Sequence, residues 1–371
     1  MRMARTLFSG VDIWLISAVF LLTLLGLVTM YTFDGNNQYF HKQLLWIAFA
    51  VVSLVVVLIP DYRFMRSGNT MFYLYVGVVA LLILVLFVGT TVKGAQSRFD
   101  LFFFSLQPSD PAKLILIGVL AKYFSKRHEL IGDFRHILVS GGYAFFIFAL
   151  VFIQPDFGSA IIIFFIWIGM VLVSGISLKH LATIIIIGLI ALGGLWNFGF
   201  HDYQKARVMT FLNPLEDIQG AGYNAYQSMI AVGSGQVLGK GVGYGTQSKL
   251  QFLPEYETDF IFAAFAEEWG IVGVIMLFAL FGIVIWRLLL FAAHGATNFE
   301  KLFAIGVVVF IISHFFIHIG MNIGLLPVTG TTVPFLSYGG SHLVTEFVAV
   351  GIVIAMGRYT KTQYEATEIL T

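Results

Sequence analysis

Residues 13–31 read IWLISAVFLLTLLGLVTMY, nineteen residues without a charge. As a helix rising 1.5 Å per residue this run is about 28 Å long, close to the roughly 30 Å hydrocarbon core of a bilayer. It follows Arg2 and Arg5, is too long for the apolar region of a signal peptide, and has no small-residue cleavage site before the polar stretch at Asp34. It therefore reads as a retained first transmembrane helix. Outward from it the pattern recurs at Phe40–Ile59, Met71–Val88, Pro111–Phe124, Ile137–Ile153, Phe157–Val173, Leu181–Phe198, Asp259–Ile285, Leu302–Gly320 and Leu343–Met356. The predicted fold is an all-α polytopic membrane protein of about ten spans. Composition agrees: the 371 residues are 58% hydrophobic and 11% charged, with mean hydropathy +0.90, whereas soluble domains carry roughly 25% charged residues. The 38 Phe and 38 Gly suit lipid-facing surfaces and close helix contacts. With no cysteine, disulfide and thiolate chemistry are excluded, and a net charge of +1 gives no sign of a nucleic-acid partner.

Ten spans put both termini on one side, and the basic residues choose which. One face receives Arg2, Arg5, Arg63, Arg66, Lys122, Lys126, Arg127, Arg135, Lys179, Arg287, Lys301, Arg358 and Lys361; the other receives Lys42, Lys93, Arg98, Lys113, Lys205, Arg207, Lys240 and Lys249. Thirteen against eight makes the first face, with both termini, cytoplasmic. One connection is far longer than the rest: residues 199–258 lie outside by parity. Such loops are functional or disordered, and this one, rich in Tyr, Phe, Gln and Gly without acidic or Ser/Pro tracts, reads as folded. The chain is thus one transmembrane domain, 1–371, with that loop inside it. No internal repeat supports an inverted-repeat transporter.

Polar and capping residues gather at the outer ends of the spans. Gln107-Pro108-Ser109-Asp110-Pro111-Ala112-Lys113 opens the fourth span, with Asp110 suited to the N-cap and Pro111 to the first helical position. The apolar part of that span covers only about 21 Å, so its polar start is expected below the outer membrane surface. Gln154-Pro155-Asp156-Phe157-Gly158 opens the sixth, Pro254 to Asp259 the eighth, and Thr329-Gly330 with Ser337 to Ser341 precede the tenth. The positive dipole ends of these spans converge outside. Together with Lys113, Lys205 and Arg207 they favour an anion such as a diphosphate. Caps at helix ends also occur for purely structural reasons, so the weight rests on their sharing one side. Asp259 stands out as a carboxylate at the start of a long apolar span, a functional-site hypothesis by default, with simple favouring of the helix dipole as the alternative. Glu267 and Glu268, about 12 Å further along the helix, and Glu346 suit either a proton relay or pairing with neighbouring elements. The Gly233–Gly241 stretch has the wrong spacing for a P-loop and no Ser/Thr after Lys240. His314 and His318 lack the acidic third ligand of a zinc motif, which favours packing.

These stretches together resemble the SEDS family (shape, elongation, division and sporulation). The resemblance is carried by Gln107-Pro108-Ser109 with Lys113, Gln154-Pro155-Asp156, Arg207, Gly222-Tyr223, Gly239-Lys240-Gly241, Leu253-Pro254-Glu255, Thr258-Asp259-Phe260-Ile261-Phe262, Glu267-Glu268-Trp269-Gly270, and Asn322-Ile323-Gly324 through Ser337-Tyr338-Gly339-Gly340-Ser341. The Gly94–Leu101 stretch looks more like the RodA branch than the FtsW branch. The family usually has Glu where Asp110 stands, and Ser is common at the position of His342. The resemblance implies a ten-helix fold in the bacterial cytoplasmic membrane and peptidoglycan glycosyltransferase activity on lipid II at the outer face during cell elongation. It implies a class B penicillin-binding protein as partner, with other elongation-complex membrane proteins and membrane lipids around it. Asp259 takes the position of the family's essential aspartate, hence general base in an inverting displacement. Asp110, Lys113, Gln154, Asp156, Lys205, Arg207, Glu255, Thr329, Ser337 and Tyr338 are the expected substrate contacts. No cofactor is required by the sequence; a divalent cation, Mg or Mn, would serve the leaving diphosphate. A lipid II flippase and a non-catalytic scaffold for the transpeptidase are the competing readings.

Overall fold

The computed structural model describes residues 12–31, 38–92, 95–101, 104–127, 134–200, 202–213 and 222–368. In chain order the long helices are α1 (Ile13–Tyr31) and α2 (Gln38–Val57), then after a single turn α3 (Arg63–Arg66), α4 (Thr70–Val88), α5 (Ser109–Ser125), α6 (Phe134–Ile153), α7 (Phe157–Val173) and α8 (Leu178–Gly194). A π-helical turn (Leu195–Gly199) ends α8. The following segment carries α9 (Asp202–Leu212), α10 (Tyr223–Ser234) and the single turn α11 (Thr246–Lys249), and the chain finishes with α12 (Ile261–His294), α13 (Asn298–Asn322) and α14 (Gly340–Glu368). Among the described residues eight helices are long and apolar enough to cross a membrane, and α7 is an apolar helix of 17 residues. The polar start of α5, also 17 residues, is what lowers its apolarity. A small antiparallel sheet absent from the sequence reading, β1 (Thr90–Val92), β2 (Ala95–Leu101) and β3 (Phe104–Leu106), joins α4 to α5.

The bundle has a clear inside. α14 and α13 are 78% and 67% buried over their apolar windows, against 6% for Leu178–Gly199. α13 packs on α5, α7 and α12, and α14 packs on α2. A half-polar helix such as α5 belongs in this interior, since lipid cannot satisfy its polar groups.

The eighth span departs from the expectation of a helix beginning at Asp259. Helical structure starts at Ile261, and the backbone leaves the helix at Gly270, where φ is +64° and ψ −166°. Phe262 and Phe278 stack with centroids 6.4 Å apart, although sixteen positions in a straight helix cover about 24 Å. The segment Ile261–Trp269 therefore folds back beside Ile271–His294, which alone is about 36 Å long and enough to span. Distance along that first segment is not depth in the membrane, which removes the basis for placing Glu267 and Glu268 deeper than Asp259.

The broken helix is repaired by the glycine-rich stretch set aside above as a false P-loop. The amides of Lys240 and Gly241 donate to the carbonyls of Glu267 and Glu268, and those of Ile271 and Val272 donate to the carbonyls of Gln236 and Val237, at 2.9–3.2 Å. Glu267 is fully buried and accepts from Lys240 Nζ at 2.6 Å and from the Thr246 amide at 2.9 Å. It is thus paired with the loop rather than with a neighbouring span. A β-carbon on Gly270 would lie 2.2 Å from the amide nitrogen of Gly239. Gly270→Ala is expected to cost about 2–4 kcal/mol, read as a lower unfolding midpoint in detergent. Gly282→Ala, in open space on the intact helix, should leave stability unchanged or raise it by up to about 1 kcal/mol.

Candidate functional site

The starts of α5, α7, α12 and α14 form one connected cluster. Gln107 Nε2 donates to Asp156 Oδ2 at 2.9 Å, and the Ser109 and Ser159 hydroxyls lie 3.4 Å apart. Asp156 caps α7 through Ser159 N at 3.0 Å. Asp110 does not cap α5 as its sequence position suggests: the helix begins at Ser109, and Asp110, in the first turn, turns inward. Ser341 Oγ donates to Gln107 O at 3.3 Å, tying the start of α14 to the same corner.

The loop between α13 and α14 lies across these ends. Thr329 O approaches α7 so closely that a β-carbon on Gly158 would meet it at 2.8 Å. On its other side, the β-carbon position of Gly330 lies 3.6 Å from Asp259 Oδ2. Asp259 is half-buried, and the backbone around it is held from three directions. Asn322 Nδ2 donates to Asp259 O at 3.1 Å, while Asn322 Oδ1 accepts from Ala263 N and Ser228 Oγ, both at 3.2 Å. Ser337 Oγ donates to Thr258 O at 3.1 Å. Tyr338 N donates to Glu257 O at 2.9 Å. Glu255, at φ +51°, receives the amides of Thr258 and Phe260 on its carbonyl, both at 3.1 Å. Asn322 is the positioning residue that sequence reasoning passed over. It was quoted only as part of a motif, and its side chain links α10, α12 and α13, which are far apart in sequence.

The cations divide. Arg207, exposed on α9, reaches Val328 O at 3.4 Å and so stands next to Thr329. Among the described residues no hydrogen bond carries Lys205 to the cluster. Lys113 is only 1% exposed and lies 3.1 Å from Asp110 Oδ1. Gln154 also points inward, donating to Leu82 O at 2.9 Å.

Lys113 and Asp110 belong to a buried chain of charges beneath the loop. His342 Nδ1 lies 3.5 Å from Asp110, and His342 Nε2 lies 2.7 Å from Glu346 Oε1. Glu346 Oε2 accepts from Phe335 N at 2.8 Å, holding that residue at φ +63°. His318 and His314 donate from Nδ1 to the carbonyls of Thr331 and Thr332 at 2.7 and 3.3 Å. All of these side chains are buried, and together they carry the loop from below. Glu346 is therefore paired with His342 on its own helix and with the loop at Phe335, and the two histidines serve as loop supports. Among the described residues no group of three or more His, Asp or Glu side chains is arranged to hold a metal ion.

Fold and site together define a multi-pass helical membrane protein with a polar centre built at one end of its bundle. The chain belongs to the cell cycle protein family of FtsW, RodA and SpoVE, whose pattern it matches over residues 4–362. It is 39% identical over 289 residues to the peptidoglycan glycosyltransferase MrdB of Escherichia coli K12, covering 78% of each chain. It is 33% identical over 360 residues to the stage V sporulation protein E of Bacillus subtilis, covering 94% of this chain and 98% of that one. Its structure superposes with TM-score 0.81 on a chain of a peptidoglycan synthase complex described as coordinating polymerization and crosslinking. That match is 26% identical and covers 94% of this chain and 98% of the other.

The buried charges make a sharp stability prediction. Lys113→Met leaves Asp110 without its nearest cation and is expected to cost about 3–5 kcal/mol. Adding Asp110→Asn should recover part of that loss, measured as unfolding midpoints in a double-mutant cycle.

Proposed function

We propose that this chain is a peptidoglycan glycosyltransferase that polymerises lipid II at the outer face of the bacterial cytoplasmic membrane during cell elongation, with Asp259 as general base. The observation that carries the reading is the setting of Asp259: a half-buried carboxylate beside Gly330, its backbone clamped by Asn322, Ser337 and Tyr338, where four helix starts converge. Rigid placement of a base within reach of one oxygen is what proton abstraction requires.

The acceptor sugar hydroxyl gives its proton to Asp259 as its oxygen attacks the anomeric carbon of the donor. The new C–O bond forms while the bond from that carbon to the diphosphate breaks, and its electron pair leaves on the diphosphate. One direct displacement inverts an α-linked donor to a β-linked product without a covalent intermediate. Negative charge grows on the leaving group, and the helix N-termini with Arg207 face that charge. Lys113 acts from beneath by holding the platform rather than by touching diphosphate, and Asp110, Gln154, Asp156, Glu255, Ser337 and Tyr338 position the walls. Lys205, on the same helix as Arg207, meets lipid headgroups or the substrate's diphosphate from solution.

The topology that fits is ten spans within one domain, both termini cytoplasmic and the 199–258 segment outside, since the basic residues favour that orientation. The elongation role rests on the RodA-like Gly94–Leu101 stretch. A class B penicillin-binding protein is the partner this reading implies, in keeping with the likeness to a chain of a peptidoglycan synthase complex. A flippase needs ion-coupling acids that change partners, whereas Glu267 and Glu346 are each held by fixed ones.

Polymerisation of lipid II by the purified full chain in detergent, with and without the transpeptidase, tests the proposal. Asp259→Asn should fold normally and lose about 10²–10⁴-fold in rate. Retention of wild-type polymerisation by that variant would remove Asp259 from the chemistry. Lipid II translocation in sealed liposomes without polymer from the wild type would move the function to transport.

A further inference from the structure

On the face of the bundle opposite Asp259, a cavity of about 230 Å³ lies between the start of α4, the end of α5 and the first half of α6. The glycosyltransferase reading has no use for it. Three cations line it, Lys122, Lys126 and Arg127, and none of its described lining residues is acidic. Lys122 Nζ is held at the mouth by Gly68 O at 2.5 Å, which occupies one of its three donors. The Arg127 guanidinium lies over the Tyr123 ring at 4.5 Å from its centroid. α4 opens into the same space, and no side chain caps its first turn. Behind the cations the walls are aromatic: Tyr75 donates its hydroxyl to Tyr143 O at 2.9 Å, and the two rings meet edge to face. Beside the mouth, Phe72 and Tyr73 are 56% and 68% exposed.

A pocket with three positive charges, an open helix start and no acid among its described lining residues selects an anion with several acceptor oxygens. Exposed aromatic side chains at its rim mark the membrane interface, where a ligand with an apolar tail lies flat against Phe72. Basic pockets between transmembrane helices on the cytoplasmic side suit anionic lipid headgroups. From this geometry we infer that the cavity is a binding site for the phosphate headgroup of an anionic phospholipid, with its acyl chains running out over Phe72. The lipid bridges α4, α5 and α6 at the end opposite the polar cluster.

The test uses the full-length protein in detergent, exposed to phosphatidylglycerol, phosphatidylcholine or inorganic phosphate. Retention is read by native mass spectrometry and stabilisation by the unfolding midpoint. The wild type should retain phosphatidylglycerol in preference to phosphatidylcholine. Each cation near an anionic lipid is worth about fivefold in affinity, so the triple variant Lys122→Gln/Lys126→Gln/Arg127→Gln should bind roughly 100-fold more weakly. The double variant Lys126→Gln/Arg127→Gln changes only exposed residues and guards against misfolding; it should lose about 25-fold. Lys179→Gln, an exposed charge on α8 that does not line the cavity, should change nothing. Equal retention of phosphatidylglycerol by wild type and both charge variants overturns the site. Equal binding of phosphatidylcholine, or full stabilisation by inorganic phosphate alone, overturns the assignment to an anionic lipid. None of these readouts measures polymerisation, so failure here leaves the glycosyltransferase reading standing.

Discussion

A charge inside a bilayer must find its partner within the protein, and the row Lys113, Asp110, His342 and Glu346 is where this chain meets that demand. Taking each of these groups out of water costs several kcal/mol unless paired and hydrogen-bonded, so they can lie in the interior only as a set. Glu346 ends the row on the Phe335 amide, a backbone group of the loop that covers the site. The electrostatic requirement of the interior is thereby converted into the shape of the outer surface. His314 and His318 extend the effect by donating to consecutive carbonyls of the same loop, which fixes the proton of each ring on Nδ1. The loop that passes Asp259 is in this sense the upper edge of a buried polar network.

The second constraint is the break at Gly270. A helix broken inside a membrane protein exposes backbone groups that lipid cannot satisfy, and here a loop from outside the span supplies the missing partners. The exchange is reciprocal: Glu267 and Glu268 accept from the loop, while Ile271 and Val272 donate to it. Folding the segment Ile261–Trp269 back beside the span brings Asp259 and Ala263 to the end of α13, where Asn322 holds both. A straight helix starting at Asp259 would have placed that carboxylate well above the bundle.

Legibility followed the range of the forces involved. The apolar runs Ile13–Tyr31 and Phe157–Val173 coincide with helices over the same residues, because span length is set by a property of the solvent. Asp156 was readable as a cap because capping is local. The same rule reads Asp110 as a cap, but Lys113 one turn along and His342, far away in sequence, draw its carboxylate inward. His342 stood out only as a departure from the family pattern; its role lies in a contact with Glu346 one turn along and with Asp110 on another helix. The strands β1 to β3 went unread because they are short and lack a long alternating pattern, and the hidden purpose of Gly233–Gly241 depends on a helix break elsewhere in the chain.

The acids around the polar centre differ in burial and in what they hold. Asp110, Glu267, Glu268 and Glu346 are at most 4% exposed, and each accepts bonds that hold another part of the fold. Protonating any of them would release a contact on which the loop or the broken helix depends. Asp156, half-buried, is bound to Gln107 and to the first turn of α7. Asp259 is half-buried, and the backbone at and beside it is held by Asn322 and Ser337. A carboxylate whose main chain is clamped in this way has the fixed placement that the proposed general base requires. The buried carboxylates instead secure the elements around it: Glu267 holds the loop that repairs the broken helix, and Glu346 holds Phe335 in the loop between α13 and α14.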